Sequence, residues 1–548
     1  MTIRLPHLRN KRLLSSLFCG LLCSVAVAQQ HMPARPRLIV GIVVDQMRWD
    51  YLYRYYDRFS ENGFRRLLSE GFSCEQAFLN YIPSYTAPGH ASIFSGTVPA
   101  IHGIVGNDWV DRRTNLGMYC SEDHTVHGVG GSQRAGRMSP RNMKSNTVGD
   151  ELRLATNFRS RVFGVALKDR GAIFPAGHLA NAAYWFDDST GNFISSDYYS
   201  PQLPQWVQDF NARRWPDTLL AQTWHTLYPI GSYTQSIADN NTYEELRKGE
   251  TDPVFPHAPG EQQYKSLRSL PAGNQLTFRF AASLIRAERL GRGAATDMLT
   301  LSLSSTDYIG HAYGPNAVEA EDLYLRLDRQ LAKFLHELDE AVGEGNYTVF
   351  LTADHGAAHN ASFLKDRKMP AGILSEYDMK KDLNAAAKLH FGADSLIRSV
   401  MNYQVALNDA MVARKKISPD ALKAFVIAHC SAYKGMFRVF SLRDLQGVTL
   451  PGLLKEQIQN GFYPARSGDI GLIYEPAWYS DGPRGTTHGT WNPYDTHIPL
   501  LWYGWGIRPG ASFDRVQVTD IAATLSAMLH IQIPNGCVGH VISDVIKK

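Results

Sequence analysis

The sequence predicts an α/β fold, a mostly parallel sheet sandwiched by helices, with inserted cap segments. Runs rich in β-branched residues, such as 37–44 and 161–167, are typical of strands that are buried on both faces of a parallel sheet. These runs alternate with helical segments along the whole chain, which favours a parallel sheet with helices on its faces. The 548 residues suffice for one such domain with insertions.

The first 28 residues are expected to form a signal peptide. Basic residues lie between positions 4 and 12, an apolar stretch follows at 13–25, and Ala26-Val27-Ala28 gives a small-residue cleavage signal. The mature chain, 29–548, is therefore expected in the periplasm or outside the cell. No later stretch approaches the roughly 18 continuous apolar residues of a membrane span, so no stable membrane insertion is expected after cleavage.

Composition and charge exclude some classes of partner. The net charge is +4 and the basic residues are dispersed, so nothing points to nucleic acid or to an anionic membrane surface. Four cysteines remain after cleavage, and none has the short spacing of a zinc site. They form either two disulfides of undetermined connectivity or four free thiols. These cysteines are Cys74, Cys120, Cys430 and Cys537.

The first predicted strand, 37–44, ends at Asp45. Ligands collect beyond the carboxyl ends of strands in open α/β sheets, so this acid is a site candidate, with a turn-capping aspartate as the alternative. An amphipathic helix is predicted at 55–68. Thr86 then stands where the N-cap of a helix belongs, with Pro88 in the first turn, so its hydroxyl is expected at the positive end of a helix. Such a hydroxyl needs a metal or a base before it acts as a nucleophile, and the alternative is an ordinary cap.

Polar side chains suited to an anion follow in the next segments. Asn107, in the polar, Gly-rich stretch 99–107, offers an amide to a ligand unless it only serves a turn. The strand predicted at 161–167 delivers Lys168 and Arg170 at its end. Because they lie two residues apart, an extended chain directs both side chains to the same side, where they suit a dianionic group. Solvated surface charge is the alternative reading.

Two further strand ends carry pairs of metal-capable residues. The strand predicted at 297–305 leads to Asp307 and His311, and their spacing lets one helical turn or a tight loop aim both at a metal. The following strand is closed by Asp354 and His355. The sequence thus repeats one theme, a strand that ends in possible metal ligands.

Two segments lack the buried-strand pattern and are predicted to be insertions, at about 187–291 and 369–461. The first is rich in aromatic residues, prolines and polar loops, and the second is largely helical. His488 lies in the polar loop 484–490 beyond the second segment. The other predicted elements are a crossover helix at 323–338, strands at 347–352, 470–474 and 498–503, and a terminal helix at 519–529.

Seven residues together form a set of oxygen and nitrogen ligands that would be used up by two divalent ions with three or four ligands each. Mixed imidazole and carboxylate ligation favours zinc, while ligand type alone leaves manganese and iron open. The seven are Asp45, Thr86, Asp307, His311, Asp354, His355 and His488. Four other histidines are expected to be structural or to support the ligands, namely His90, His102, His359 and His497.

The order and spacing of these motifs, from about residue 37 to 525, resemble those of the alkaline phosphatase superfamily. Within it, the sequence is most similar to the periplasmic, phosphate-irrepressible alkaline phosphatases of the PafA type, which use threonine as nucleophile. Those enzymes carry an asparagine and a Lys-x-Arg pair beside the phosphate, matched here by Asn107, Lys168 and Arg170.

The resemblance implies two zinc ions and hydrolysis of small-molecule phosphate monoesters through a threonyl phosphate. It places Asp307, His311 and His488 on one zinc. It places Asp45, Asp354, His355 and the Thr86 oxygen on the other. Two zinc ions carry four positive charges against three aspartates, and the surplus suits a threonine alkoxide and a phosphate dianion.

Several alternatives share parts of this pattern. A nucleotide pyrophosphatase/phosphodiesterase has the same bimetal site, but Lys168 and Arg170 favour a monoester because a diester presents less charge. A sulfatase needs cysteine or serine where Thr86 stands, and a phosphoglycerate mutase normally uses serine and manganese in the cytosol. A secreted binding protein that has lost turnover is the alternative of a different class. The physiological substrate and the oligomeric state are not readable from the sequence.

Overall fold

A central sheet organises the computed structural model, which describes residues 34–259 and 263–546. The strands of the described chain are, in order, β1 Leu38–Val44, β2 Phe72–Phe78, β3 Asp108–Asp111, β4 Leu116–Tyr119, β5 Gly128–Val129, β6 Val162–Ala166, β7 Ala182–Asp187, β8 Asn192–Ser196, β9 Asp297–Leu303, β10 Tyr347–Thr352, β11 Gly372–Ile373, β12 Ile397–Met401, β13 Gln404–Leu407, β14 Met436–Ser441, β15 Ile470–Tyr474, β16 Trp478–Tyr479, β17 His497–Ile498, β18 Leu500–Gly504 and β19 Gly510–Gln517.

Helices cover the sheet and fill the segments between strands. In order, the α-helices of the described chain are α1 Tyr51–Arg54, α2 Phe64–Glu70, α3 Thr86–Ser95, α4 Pro99–His102, α5 Gln133–Gly136, α6 Val148–Ala155, α7 Asp169–Ala176, α8 Gln205–Ala212, α9 Trp215–Leu220, α10 Pro271–Ala287, α11 Ser305–Tyr313, α12 Val318–Val342, α13 Ala361–Asp366, α14 Glu376–Phe391, α15 Asp409–Arg414, α16 Pro419–Ser431, α17 Gly452–Gly461, α18 Pro493–Thr496 and α19 Asp520–Met528.

Within the described residues, the central sheet has eleven strands, in the order β17-β2-β18-β10-β1-β9-β6-β7-β8-β5, with β19 paired to β2. The middle strands β10, β1, β9, β6 and β7 are parallel to one another. Next to them, β18 and β8 run antiparallel. Every residue of β1 is buried, as its β-branched composition predicts for a strand covered on both faces. The predicted α/β class with a mostly parallel sheet is confirmed.

The strand register brings the predicted site residues to one edge of this sheet. Val43 of β1 pairs with Ser302 of β9 and with Thr352 of β10. Ala166 of β6 pairs with the same Ser302. The strands therefore end level with one another, and the residues just beyond them share the carboxyl edge, where ligands bind in open α/β folds.

The first predicted insertion, 187–291, has bounds that are too wide. It begins with β8, which pairs antiparallel with β7 in the central sheet. It ends with α10, whose apolar face packs against α12 and β9. Aromatic residues and prolines between these elements obscured the strand and the crossover helix in the sequence.

The second predicted insertion, 369–461, is too short. It holds α14 to α16, and its strands β12, β13 and β14 join β15 in a separate four-stranded antiparallel sheet with its own apolar core. Because β15 comes from 470–474, this smaller unit continues beyond residue 461. A lone apolar strand carries no signal of which sheet it joins.

Two other expectations concern the chain termini and the thiols. The predicted signal peptide, 1–28, lies outside the described residues. In the described part of the chain, no helix is both long and apolar enough to cross a membrane. Cys74, Cys120, Cys430 and Cys537 are all free thiols here, which is one of the two states that the sequence left open.

Candidate active site

The predicted metal ligands converge at the carboxyl edge of the central sheet. Two sets of three side chains have ligand atoms within 4.8 Å of one another. The first is Asp307, His311 and His488, the set expected for one zinc. The second is Asp45, Asp307 and His355, so Asp307 enters this set where the sequence predicted Asp354 and Thr86.

Asp354 and Thr86 nevertheless border the second set. Nε2 of His355 lies 3.6 Å from Oδ1 of Asp45 and 3.5 Å from Oδ2 of Asp354. The same nitrogen is 3.5 Å from Oγ1 of Thr86. Three of the four side chains expected for the second ion therefore surround the Nε2 of the fourth, His355.

A backbone contact fixes the ring orientation of each histidine in the candidate ligand set. Nδ1 of His311 lies 2.7 Å from the carbonyl oxygen of Thr486. Nδ1 of His488 lies 2.7 Å from that of Ser84, and Nδ1 of His355 lies 3.0 Å from that of Gly356. A carbonyl only accepts, so each Nδ1 carries a hydrogen, and in the neutral ring Nε2 is then the nitrogen with the lone pair. Backbone contacts of this kind fix the tautomer of metal-ligating histidines.

Thr86 lies at the start of α3, but it is not the N-cap that the sequence predicted. The helix begins at Thr86 itself and Tyr85 is the N-cap residue. The Thr86 hydroxyl therefore does not serve as the helix cap. It faces the predicted metal ligands, at the positive end of the helix. Close packing holds it there, because a Cβ on Gly89 would lie 2.6 Å from the carbonyl oxygen of Asp354.

Asn107 is adjacent to Thr86. Its Oδ1 accepts a hydrogen bond from the backbone N–H of Ala87 at 3.0 Å. This contact fixes the orientation of the amide, and the Nδ2 donors take no part in it. Asn107 is thus held at the first turn of the helix that begins at Thr86.

Lys168 reaches the ligands, whereas Arg170 departs from the predicted extended arrangement. Helix α7 begins at Asp169, so Arg170 belongs to its first turn and the two side chains do not simply share one side of a strand. The Lys168 ammonium lies 2.6 Å from Asp45 Oδ2 and 2.6 Å from Asp307 Oδ2. Arg170 Nη1 donates to the Tyr119 hydroxyl at 2.9 Å, and its buried Nε has no hydrogen-bond partner in the described chain.

Burial and neighbouring charges shift the pKa values of the site carboxylates in opposite directions. Burial, together with the Asp354 carboxylate, raises the pKa of Asp45 well above its ordinary value. Burial also opposes ionisation of Asp307, but the Lys168 ammonium and His311 outweigh it and hold the Asp307 pKa well below its ordinary value. Burial and then His355 lower the pKa of His488 well below its ordinary value. A neutral imidazole is the form that binds a metal.

The residues present fit two divalent cations. Asp45 Oδ1 and Asp354 Oδ2 are buried and have no hydrogen-bond donor in the described chain. A buried carboxylate oxygen without a partner is costly, and a cation would satisfy it. Three carboxylates, three oriented imidazoles and one hydroxyl form the donor set, which suits borderline metals such as zinc.

Sequence reasoning missed Gln46. Its backbone N–H donates to Asp354 Oδ1 at 3.1 Å, and its Nε2 donates to Asp307 Oδ1 at 2.9 Å. The residue has φ of 65°, a left-handed conformation that is unusual for glutamine and that clusters at functional sites. A Cβ on Gly310 would lie 2.0 Å from its Oε1, so the glycine leaves room for this side chain. Its place directly after Asp45 was the one available signal.

The four histidines set aside in the sequence have structural partners. His90 is nearest the site, with Nδ1 2.9 Å from the Thr86 carbonyl oxygen and 3.3 Å from Asp354 Oδ2. The others contact polar groups outside the ligand set, namely Ser92 for His102, Asn316 for His359 and the Glu75 carbonyl for His497.

The chain is similar to known proteins over most of its length. Residues 39–497 match the family model described as type I phosphodiesterase / nucleotide pyrophosphatase. The alkaline phosphatase PafA of Elizabethkingia meningoseptica is 48% identical over 518 residues, 93% of this chain and 95% of the relative. The alkaline phosphatase PhoV of Synechococcus elongatus is 46% identical and covers 98% of this chain and 100% of its own length. A protein of Myroides odoratus named calcium-transporting ATPase is 48% identical over 97% of this chain and 99% of its own length.

Solved structures agree with these relatives. The crystal structure of wild-type PafA matches with a TM-score of 0.92 and 47% identity, over 94% of this chain and 100% of the other. A PafA variant altered at a threonine, an asparagine, a lysine and an arginine matches with the same TM-score of 0.92 and 46% identity.

Proposed function

This chain belongs to the type I phosphodiesterase/nucleotide pyrophosphatase family and is a PafA-type enzyme of the alkaline phosphatase superfamily, and on that basis we propose that it hydrolyses phosphate monoesters through a phosphorylated Thr86 at a two-zinc site. Relatives at 46% and 48% identity that are named alkaline phosphatases support the phosphatase activity. The observation that carries the proposal is the position of Thr86 Oγ1, which lies 3.5 Å from both His355 Nε2 and Lys168 Nζ.

The ligand sets support a division between two ions. Asp307, His311 and His488 would hold one zinc. The other would be held by Asp45, Asp354, His355 and Thr86, of which Asp45 and Asp354 each offer an unpaired oxygen. Zinc at these positions supplies Lewis acidity that lowers the pKa of the Thr86 hydroxyl and stabilises charge on the departing oxygen.

The bond-making steps and the binding of the phosphoryl group are assigned to residues of the chain itself. Thr86 Oγ1 attacks phosphorus and gives up its proton, the bond to the ester oxygen breaks, and that oxygen takes up a proton and leaves as the alcohol on the opposite side. Water then attacks the phosphothreonine, the bond between phosphorus and Oγ1 breaks, and inorganic phosphate leaves as the hydroxyl is restored. In both steps the amide Nδ2 of Asn107 and the buried Nε of Arg170 are donors suited to phosphoryl oxygens, because neither is used by a described neighbour.

The family description also covers diesterases, so the choice of substrate rests on charge. Lys168, beside the proposed nucleophile, and Arg170, in the first turn of α7, together suit the dianion of a monoester, whereas a diester has one charge fewer and one organic group more. The PafA variant described above is altered at the residue types threonine, asparagine, lysine and arginine. Those four types stand here as Thr86, Asn107, Lys168 and Arg170, which supports their acting together.

The name of the Myroides relative includes ATP hydrolysis, which is also a phosphoryl transfer to water. The same site would take the terminal phosphate of ATP as one of its substrates, and transport is no part of this proposal. The predicted signal peptide supports action in the periplasm or outside the cell.

Acid quenching of the enzyme during turnover of p-nitrophenyl phosphate tests the proposal. Mass spectrometry of the digested protein should find phosphate on the peptide that contains Thr86. Phosphate on a different residue would contradict the assigned nucleophile.

A further inference from the structure

A cleft of about 300 Å³, lined by more basic than acidic side chains, lies beside the candidate active site. We call it the cationic cleft, and its charged lining consists of Arg247, Lys248, Lys265 and Arg268 against Glu245. No step of the proposed reaction uses these residues. An excess of basic side chains around a concave site favours an anionic ligand.

One helix separates the cationic cleft from the active site. Tyr308 and Ala312 of α11 line the cleft, while Asp307 and His311 of the same helix are predicted metal ligands. Residues four apart share one face of a helix, so the two pairs occupy neighbouring faces. Two residues that line the cleft are therefore the direct sequence neighbours of two predicted metal ligands.

The ring of Tyr308 lies between the candidate active site and the cationic cleft. The Lys168 ammonium lies 5.0 Å from the ring centroid and the Arg268 guanidinium carbon lies 5.6 Å from it. Arg268 Nη1 also donates to the Tyr308 hydroxyl at 2.8 Å. A cation of the site and a cation of the cleft thus contact the same aromatic ring.

The leaving group of a substrate would extend towards this cleft. The His311 side chain is 34% exposed, whereas Asp307 and His488 are 5% and 4% exposed, so the site opens beside His311. In the proposed reaction the alcohol departs opposite Thr86, on the side of Asp307 and His311. That side leads to Ala312 and the cleft.

We propose, resting on the proposed function, that the cationic cleft binds a second phosphate group carried by the leaving group of a phosphate monoester. Nη1 of Arg247 is buried without a hydrogen-bond partner in the described chain, so it has a donor for such a group. The Lys265 side chain is exposed and lines the same cleft. Charge-assisted contacts to phosphate from these side chains give a preference for bisphosphorylated substrates.

The test compares kcat/KM for fructose 1,6-bisphosphate with kcat/KM for fructose 1-phosphate. Wild type should favour the bisphosphate by about tenfold or more, beyond the statistical advantage of its two phosphates. The double variant Arg247→Gln/Lys265→Gln should reduce the ratio to the statistical value. The matched double variant Lys381→Gln/Arg443→Gln, at exposed positions of the smaller unit, should keep the wild-type ratio.

Because the readout is a ratio within one enzyme, lower expression or partial inactivation does not imitate the result. If the double variant fails to fold, the single change Lys265→Gln at an exposed position takes its place and should lower the ratio in part. A wild-type ratio at the statistical value, or a ratio that the cleft variants leave unchanged, overturns this inference. Failure of the proposed function is a separate outcome, since fructose 1-phosphate would then not be hydrolysed at all.

Discussion

The ammonium of Lys168 lies 2.6 Å from Oδ2 of Asp307, and both groups are buried at the edge of the central sheet. The same nitrogen is 2.6 Å from Asp45 Oδ2 and 3.5 Å from Thr86 Oγ1. One side chain thus joins both predicted ligand sets and the proposed nucleophile. A buried charge is tolerated only with such partners, so a change at Lys168 alters the whole centre.

Lys168 and Arg170 should determine the preference of the enzyme for phosphate monoesters over phosphate diesters. Lys168→Ala/Arg170→Ala should lower kcat/KM for a phosphate monoester on the order of a hundredfold or more, because two charge-assisted contacts of about 1.5–3 kcal/mol each are lost. A methyl phosphodiester with the same leaving group should lose much less. The control Lys381→Ala/Arg443→Ala removes the same residue types at exposed positions and should change neither value. Equal losses on both substrates, or a wild-type preference for the diester, would favour the phosphodiesterase alternative.

Turnover should depend on a hydroxyl at position 86, where the proposed nucleophile lies. Thr86→Ala should lower kcat/KM for p-nitrophenyl phosphate by several orders of magnitude, while Thr86→Ser should keep part of the activity because a hydroxyl remains. Thr277→Ala is a matched control, since that buried threonine of α10 only donates to the Gly273 carbonyl. Steady-state kinetics measure all three variants. Turnover by Thr86→Ala close to wild type would exclude Thr86 as the nucleophile.

Gln46 should control zinc affinity although it is not a ligand. Gln46→Ala removes the Nε2 donor to Asp307, and loss of a hydrogen bond behind a ligand typically costs about 10–100-fold in metal affinity. Competition with a chelator measures the effect. Gln457→Ala, at a buried glutamine that donates to the Leu79 carbonyl, should leave zinc affinity unchanged. Equal zinc affinity of Gln46→Ala and wild type would show that the hydrogen bond from Gln46 to Asp307 does not support metal binding.

His102 should make the stability of the protein depend on pH. Burial, together with Arg466, lowers the pKa of His102 from 6.5 to about 3. Its Nδ1 accepts from the Ile104 N–H at 3.0 Å, which requires the neutral ring. Between these pH values the unfolded chain binds the proton and the folded chain does not. The contribution is therefore complete above pH 6.5 and is lost as the pH falls towards 3.

Chemical denaturation of metal-free protein at several pH values measures this dependence. His102→Gln should flatten the fall in the free energy of unfolding by up to about 1.4 kcal/mol per pH unit. His336→Gln, at a side chain that is 72% exposed, should keep the wild-type slope. Parallel curves for wild type and His102→Gln would refute the assignment.

Much of the fold was predictable because buried parallel strands have a distinct pattern. The β-branched run that ends at Asp45 needs no tertiary information, and the same holds for the strands before Lys168 and Asp307. The sheet partners of β15 lie in β13 and β14, so its place in the smaller sheet depends on contacts distant in sequence, which no local pattern could provide. β8 instead forms a hairpin with its sequence neighbour β7, and it was missed because it lies at the start of a segment dominated by aromatic residues, prolines and polar loops.

The candidate site follows the same division. Asp307 and His311 follow the end of β9 at the carboxyl edge of the sheet, and the loop 484–490, which is hydrogen-bonded to His311 through Thr486, brings His488 to them. The helix position of Thr86 was wrong by one residue, since Tyr85 adopts the extended N-cap conformation without a side-chain cap. Gln46 was missed because its role depends on a left-handed φ of 65° and on two distant carboxylates.

Two zinc ions should complete this site, and zinc titration of metal-free protein measures whether they do. Each addition is followed by the rate of p-nitrophenyl phosphate hydrolysis and by the bound metal per chain. We predict negligible activity without metal, and full activity once about two zinc ions are bound per chain, because the buried ligands form two sets around Asp307. Full activity in protein verified to be free of metal would contradict the account.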